Sequence, residues 1–164
     1  MAKISFPGLA QYEFQLSTLF KNTEKICDKA VYEGASIVAD AIRENIKALP
    51  AVNDVEGTHA WAAKREAPLT KKAKQGLLDG FGVSPLRDDS GYRNVKLGFD
   101  GYNKLKTRQY PKGQPNVLIA RVTESGKSVS EKRPFVRPAV RATRKIAEEK
   151  MAEVLDEELE KIMK

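Results

Sequence analysis

Apolar residues recur every three or four positions through most of the chain, the period of helices that bury one face. Leu9, Tyr12, Leu16, Leu19 and Phe20 define a first face over about 9–20, and Asn22-Thr23 ends that helix or caps the next. Ile26, Ala30, Val31, Ile37, Val38, Ala41, Ile42, Asn45 and Leu49 make a wider stripe over about 23–49. A stripe that wide suits a helix covered on two sides. Gly34 and Ala35 sit in its middle, where the glycine costs helix propensity, and a close crossing by another backbone is one reason to keep them. Pro50 stops the helix. Leu69 to Phe81 predicts a shorter helix with Thr70 as its cap and Gly82 after its end.

The period then changes to two. Val83–Arg87 and Tyr92–Phe99 predict strands on either side of the turn formers Asp88-Asp89-Ser90-Gly91, and so an antiparallel hairpin over 83–99. Ile4–Phe6 is a short edge strand closed by Pro7-Gly8. Leu118, Ile119 and Val122 fit a helix stopped by Gly126, and a strand through Leu118, Ala120 and Val122 is the alternative. The last helix runs from about Pro138 to Met163, with Val140, Ala147, Met151, Val154, Leu155, Leu159 and Ile162 on one face. The expected fold is α+β: long helices at about 9–20, 23–49 and 138–163 packed on a small antiparallel sheet.

Two stretches have no period. Residues 50–68 hold the only histidine, His59, and the only tryptophan, Trp61. A loop of that length is expected to project as a contact arm. Residues 100–116 are basic and interleaved with tyrosine; Lys104, Lys106, Arg108 and Lys112 are candidate contacts to DNA or to a partner.

The stretch 121–143, RVTESGKSVSEKRPFVRPAVRAT, organises the end of the chain. Gly126 can turn the backbone without a Cβ clash, and Pro134 pushes Arg133 toward extended geometry. Pro138 is tolerated in a first helical turn, and Phe135 and Val136 are placed to pack back on that turn. Glu124, Gly126, Pro134, Phe135 and Pro138 form the structural motif of this region.

A length of 164 residues fits a single domain, 1–164. No apolar run approaches the ~20 residues of a membrane span. The opening MAKISFPGLAQYEF lacks the apolar core of a signal peptide. The single Cys27 excludes an intramolecular disulfide, fits a reducing compartment, and reads as a small core residue. The net charge of +7 is unevenly spread. Residues 91–145 carry 14 basic and three acidic side chains, whereas residues 146–164 carry three basic and seven acidic. Charged partners are implied.

Motifs for chemistry are missing. There is no glycine-rich phosphate loop, no Cys/His cluster and no supported Ser–His–Asp set. His59 has no second His or Cys to help hold a metal. Glu148-Glu149 and Asp156-Glu157-Glu158 lie in a lysine-containing helix and read as solvated faces. The expectation is no catalytic residue, no cofactor, no metal, no membrane and no enzyme.

Glu-x-Gly, a polar connector, then Pro-Phe-x-Arg-Pro-Ala and a charged helix resembles the tailed-phage neck, or head–tail joining, proteins related to minor tail protein Z of lambdoid phages. The likeness extends to Gly8-Leu9, to a long helix from about Thr23 and to residues 69–102, and leaves 50–68 unmatched. Ser125 and Lys127 stand where that pattern often has an aromatic and a threonine. The resemblance implies a structural virion protein, assembled in the host cytoplasm into a ring at the head–tail junction. A hexamer would match tail symmetry and twelve copies the portal side. Its neighbours would be head-completion or connector proteins and the tail terminator, with non-specific DNA contact in the lumen. Arg137, Arg141, Arg144, Glu157 and Glu158 are candidate inter-subunit contacts, because the charges of the last helix oppose its own dipole. A free-standing nucleic-acid-binding protein acting through residues 91–145 is the alternative.

Overall fold

A single helix, α1, runs from Leu9 to Ala48 and spans about 60 Å. The sequence pattern predicts a break at Asn22-Thr23; the helix passes straight through. The side chains there do not cap. Thr18 Oγ1 donates to Phe14 O at 2.8 Å, Asn22 Nδ2 to Thr18 O at 3.0 Å and Thr23 Oγ1 to Leu19 O at 2.8 Å. Each satisfies itself on a carbonyl of the preceding turn, so the helix continues.

In a computed structural model, the described residues are 9–53, 69–106, 109–127 and 131–163. The expected edge strand at Ile4–Phe6 and most of the 50–68 loop, including His59 and Trp61, lie outside them. After α1 come β1 (Ala51–Val52), β2 (Leu69–Thr70), α2 (Lys71–Gly80), β3 (Phe81–Val83), β4 (Arg87–Asp89), β5 (Tyr92–Asn94), β6 (Leu97–Phe99), α3 (Asn116–Ser125) and α4 (Val136–Met163). The fold is α+β, with one long helix and several two-stranded pairs.

The predicted hairpin exists as two short ladders in line. β3 pairs with β6 and β4 with β5, both antiparallel. Between them Ser84 N donates to Lys96 O at 2.7 Å and Lys96 N to Ser84 Oγ at 2.8 Å, which carries the pairing across the gap. Ser90 and Gly91 both take positive φ, 58° and 88°, as a tight two-residue hairpin turn requires. The β1–β2 pair is parallel, which the pattern did not anticipate. α2 is shorter than the predicted Leu69–Phe81, because its two ends are drawn into strands. Thr70 caps it as expected, its Oγ1 accepting from Ala73 N at 3.2 Å. Residues 116–125 are helical, which settles the helix-or-strand alternative.

The core joins α1, α2, the β3–β6 ladder, α3 and the start of α4. Ile42, Ile46, Leu77 and Phe135 are its largest fully buried side chains. Phe81, Phe99 and Phe135 form an aromatic row with centroids 5.1 and 5.9 Å apart, and the Arg43 guanidinium lies 5.4 Å over the Phe81 ring. Arg93 ties β5 to α1 through two hydrogen bonds to Asp28, at 2.7 and 2.8 Å.

α4 runs back along α1 to form a long helical hairpin. Asn45 meets the residue before α4, Lys29 pairs with Glu158 at 2.6 Å, and Gln15 Nε2 donates to Met163 O at 3.0 Å. Ile26, Ala30, Ala147 and Val154 are buried along the pair. The pattern suggested a close backbone crossing at Gly34, and the atoms nearest to it belong to the Met151 side chain on α4. Gly34 is a notch for a side chain, since a methyl there would lie 2.6 Å from Met151 Cγ and 3.1 Å from its Sδ. Both predicted faces stay open in part: Tyr12 and Phe20 on α1 are 53% and 80% exposed, and Val140 and Leu159 at either end of the α4 face are also exposed.

The notch makes Gly34 an unusual helical glycine. Gly34→Ala gains about 1 kcal/mol of helix propensity. Crowding Met151 costs more, about 1–3 kcal/mol. Urea denaturation should show net destabilisation in the single variant. In a Met151→Ala background the same change should stabilise. Stabilisation by Gly34→Ala alone would mean that Met151 moves aside freely.

Candidate assembly surface

The motif of the C-terminal third is a capping device that spans two helices. α3 ends at Ser125, and Gly126 follows with φ 76°, its N–H returning to Val122 O at 2.8 Å. Glu124, in the last turn of α3, points at the start of α4. Its Oε2 accepts from Phe135 N at 2.7 Å and Val136 N at 2.9 Å, and its Oε1 from Arg137 N at 3.1 Å. A helix leaves its first four N–H groups without intrahelical partners. Glu124 takes three, and Pro138 has no N–H to leave. The helix therefore begins at Val136, two residues ahead of the predicted Pro138. The backbone of Phe135 is held from both sides, because Asn45 Nδ2 donates to its carbonyl at 2.8 Å. Its ring is 1% exposed, in the core.

Burial pushes the Glu124 carboxyl up, but the bonds from Val136, Phe135 and Arg137, with the Arg137 charge 3.8 Å away, outweigh it. The net effect holds Glu124 below the usual range for Glu. Glu124, Gly126, Pro134, Phe135 and Pro138 thus converge on one joint, and that joint is structural.

The basic loop 100–116 is anchored at its base by buried amides. Asn103 Oδ1 accepts from Leu105 N at 2.9 Å and Gln114 N at 3.2 Å, and Asn116 Nδ2 donates to Asp100 O at 2.8 Å. Gly76 leaves room for both side chains, since a methyl there would lie 2.7 Å from Asn116 Oδ1. Lys104, Lys106 and Lys112 are exposed and form no ion pair among the described residues. Arg108 lies outside those residues.

Comparison with family models, characterised proteins and solved structures finds no match. The reading of function therefore rests on the surface itself. No group of three or more potential metal ligands exists among the described residues. No helix among them is long and apolar enough to cross a membrane.

The residues proposed as inter-subunit contacts divide into engaged and free. Arg137 lies beside Glu124, and Arg144 Nε donates to Glu148 Oε1 at 2.8 Å, which raises its pKa further. Glu158 binds Lys161 at 2.8 Å and Lys29 at 2.6 Å; those hydrogen bonds hold its carboxyl down at about 2. Arg141 and Glu157 are exposed and make no ion pair among the described residues, and neither does Asp156. Arg141 lies in the first turns of α4, near the body, and Asp156 and Glu157 lie in its second half, beside the Glu158 that meets Lys29 at the middle of α1.

Two apolar surfaces are left open, and the sequence pattern foresaw the opening of neither. One is a groove of about 250 Å³ between α2 and α3, lined by Leu69, Ala73, Leu105, Leu118, Ile119 and Val122. Lys127, Glu131 and Arg133 stand on its polar side. The other is the open face of α1 at the far end of the hairpin, its tip. The signal for it was present: Tyr12, Leu16 and Phe20 continue an apolar stripe past the region that α4 covers.

Glu124 sets a pH dependence. Its folded pKa lies below the unfolded value of about 4.3. Its contribution is therefore complete above that value and disappears as pH falls through the folded pKa. Glu124→Ala should cost at least about 1–3 kcal/mol at pH 7, because a buried donor loses its acceptor. The difference from wild type in chemical denaturation should be flat from pH 7 to about 5 and shrink below about 4. A gap that stays constant down to pH 2 would assign the loss to packing.

Proposed function

We propose that the chain is a structural protein of the tailed-phage neck, which assembles as a ring at the head–tail junction and keeps the DNA path open. The resemblance of Glu124-x-Gly126 and Pro134-Phe135-x-Arg137-Pro138-Ala139 to that family suggests it. The observation that carries it is the separation of charge along a long hairpin. The body end of α4 exposes Arg141 and its second half exposes Asp156 and Glu157. Local helix electrostatics favour the reverse order, so the helix itself does not account for the arrangement. Copies set head to tail satisfy it, each basic body meeting the acidic outer half of its neighbour's hairpin. A heterologous contact of this kind closes into a ring when its rotation divides the circle. A hexamer matches the symmetry of tails.

Negative-stain imaging of the purified protein, alone and with its head and tail neighbours, tests this reading; closed rings with an open lumen are expected. Arg141→Glu with Arg144→Glu should weaken assembly by roughly tenfold or more, about 1.4 kcal/mol per decade. Adding Asp156→Lys and Glu157→Lys should restore part of it. Glu158 is left unchanged because it already binds Lys29 and Lys161. Light scattering on the two variants decides, and a fourfold variant that assembles no better than the double one removes the charge pairing.

A second reading, nucleic-acid binding through residues 91–145, draws on Lys104, Lys106 and Lys112, which form no ion pair among the described residues, and on Tyr102, which is 70% exposed. Binding to duplex DNA that falls steeply with salt, and falls further in a Lys104→Ala, Lys106→Ala, Lys112→Ala variant, would favour it. A ring protein that merely surrounds DNA should show only weak, sequence-independent binding.

A further inference from the structure

Two apolar surfaces have no partner among the described residues, one at the tip of the hairpin and one on the body. At the tip, Tyr12, Leu16 and Phe20 follow one another at a spacing of four, so they share one face of α1. They are 53%, 36% and 80% exposed. At the body, the α2–α3 groove presents Leu105, Leu118 and Val122, each half-buried. Its volume of about 250 Å³ falls below the ~300–1,000 Å³ of small-molecule sites, and suits one or two side chains.

We propose that the tip of one copy's hairpin docks in the α2–α3 groove of a second copy. The proposal rests on the ring reading above and names the surfaces that make the ring. An amphipathic helix laid in an apolar groove is a common recognition mode, read through anchors one turn apart. Tyr12, Leu16 and Phe20 supply those anchors.

Charge selects the occupant. The outer half of the hairpin is net acidic: residues 9–29 and 150–163 carry eight acidic and five basic side chains, with Glu13 among the anchors and Lys21 just after them. Around the groove stand Lys127 and Arg133, with exposed Arg121 and Lys132 close by in the chain. Glu131 is the one acid lining it, and it lies 3.8 Å from Arg133. The net acidic outer half of the hairpin and the basic groove attract. Tip against tip would bring two net acidic halves together, which opposes a two-fold pairing of apolar faces. The contact is therefore head to tail. Each added copy leaves one tip and one groove open, so growth continues until the ring closes.

The design of the test follows from this asymmetry. Phe20→Glu removes the tip and Leu118→Glu removes the groove. Phe20 is largely exposed and Leu118 lies outside the buried core cluster, so both variants should keep the helix content and melting temperature of the wild-type monomer. Each alone should associate at least about 30-fold more weakly than wild type, the loss of a central anchor. Mixed in equal amounts they contain one intact tip and one intact groove. Analytical ultracentrifugation of the mixture should show a complex of two chains that grows no further.

A mixture that stays monomeric while wild type assembles overturns the docking. So does Phe20→Glu assembling like wild type, wild type remaining monomeric at every concentration, or a large drop in melting temperature for Leu118→Glu, which would mean that the chain fills its own groove. If the mixed pair forms but wild type yields open chains and never closed rings, the docking stands and the neck reading falls.

Discussion

The arrangement of the C-terminal half depends on one carboxylate. Glu124 stands at the end of a ten-residue helix and accepts three backbone N–H groups from the start of a 28-residue one. In doing so it fixes where α4 begins and which way it leaves the body. The bond from Asn45 to the carbonyl of Phe135 adds α1 to the same joint, and the Phe135 ring adds the core. Three helices therefore share one residue's backbone and side chain. A shift at Phe135 would be felt by α1, α3 and α4 together, and through Phe99 by the β3–β6 ladder.

From that joint the α1–α4 pair extends well beyond the body. Its inner surface is made largely of small residues and short branches: Ala30, Gly34, Ala147 and Val154 are buried where the helices meet, with Met151 seated over Gly34. Small residues permit a close helix contact, and methionine adapts to the irregular space that glycine leaves. The same economy explains the open tip. Two helices can cover only one stripe of each other, and α1 carries a broader apolar surface there than α4 reaches.

Much of this fold was legible in the sequence, because local chemistry decided it. Ser90-Gly91 had to turn, Thr70 had to cap, and Gly126 had to end α3. The predicted break at Asn22-Thr23 failed for an equally local reason: residues that cap helices can also bond back within them, and composition does not distinguish the two. The joint itself was legible only as a list of residues. Glu124 and Phe135 stand 11 positions apart, and no periodicity states that one caps the other. Phe135 was marked for burial by its two flanking prolines, and it is buried. The tip and groove were hidden differently. An apolar stripe announces that it will be covered, but not whether the cover comes from the same chain.

The length of α1 implies uneven protection from solvent exchange along a single helix. Around Ile42 and Ile46 its amides sit beside fully buried side chains, and opening them requires disrupting the core. Around Tyr12 and Leu16 the described residues add little to the helix's own hydrogen bonds beyond the contact between Gln15 and Met163. Amide exchange should therefore speed up steadily from one end of α1 to the other, with no boundary in the sequence to mark the change. The body belongs to the cooperative unit that unfolds globally, while the tip frays on its own timescale. If such a segment orders on contact with a partner, it loses entropy at that moment, which would keep each single contact weak and reversible until many are made at once.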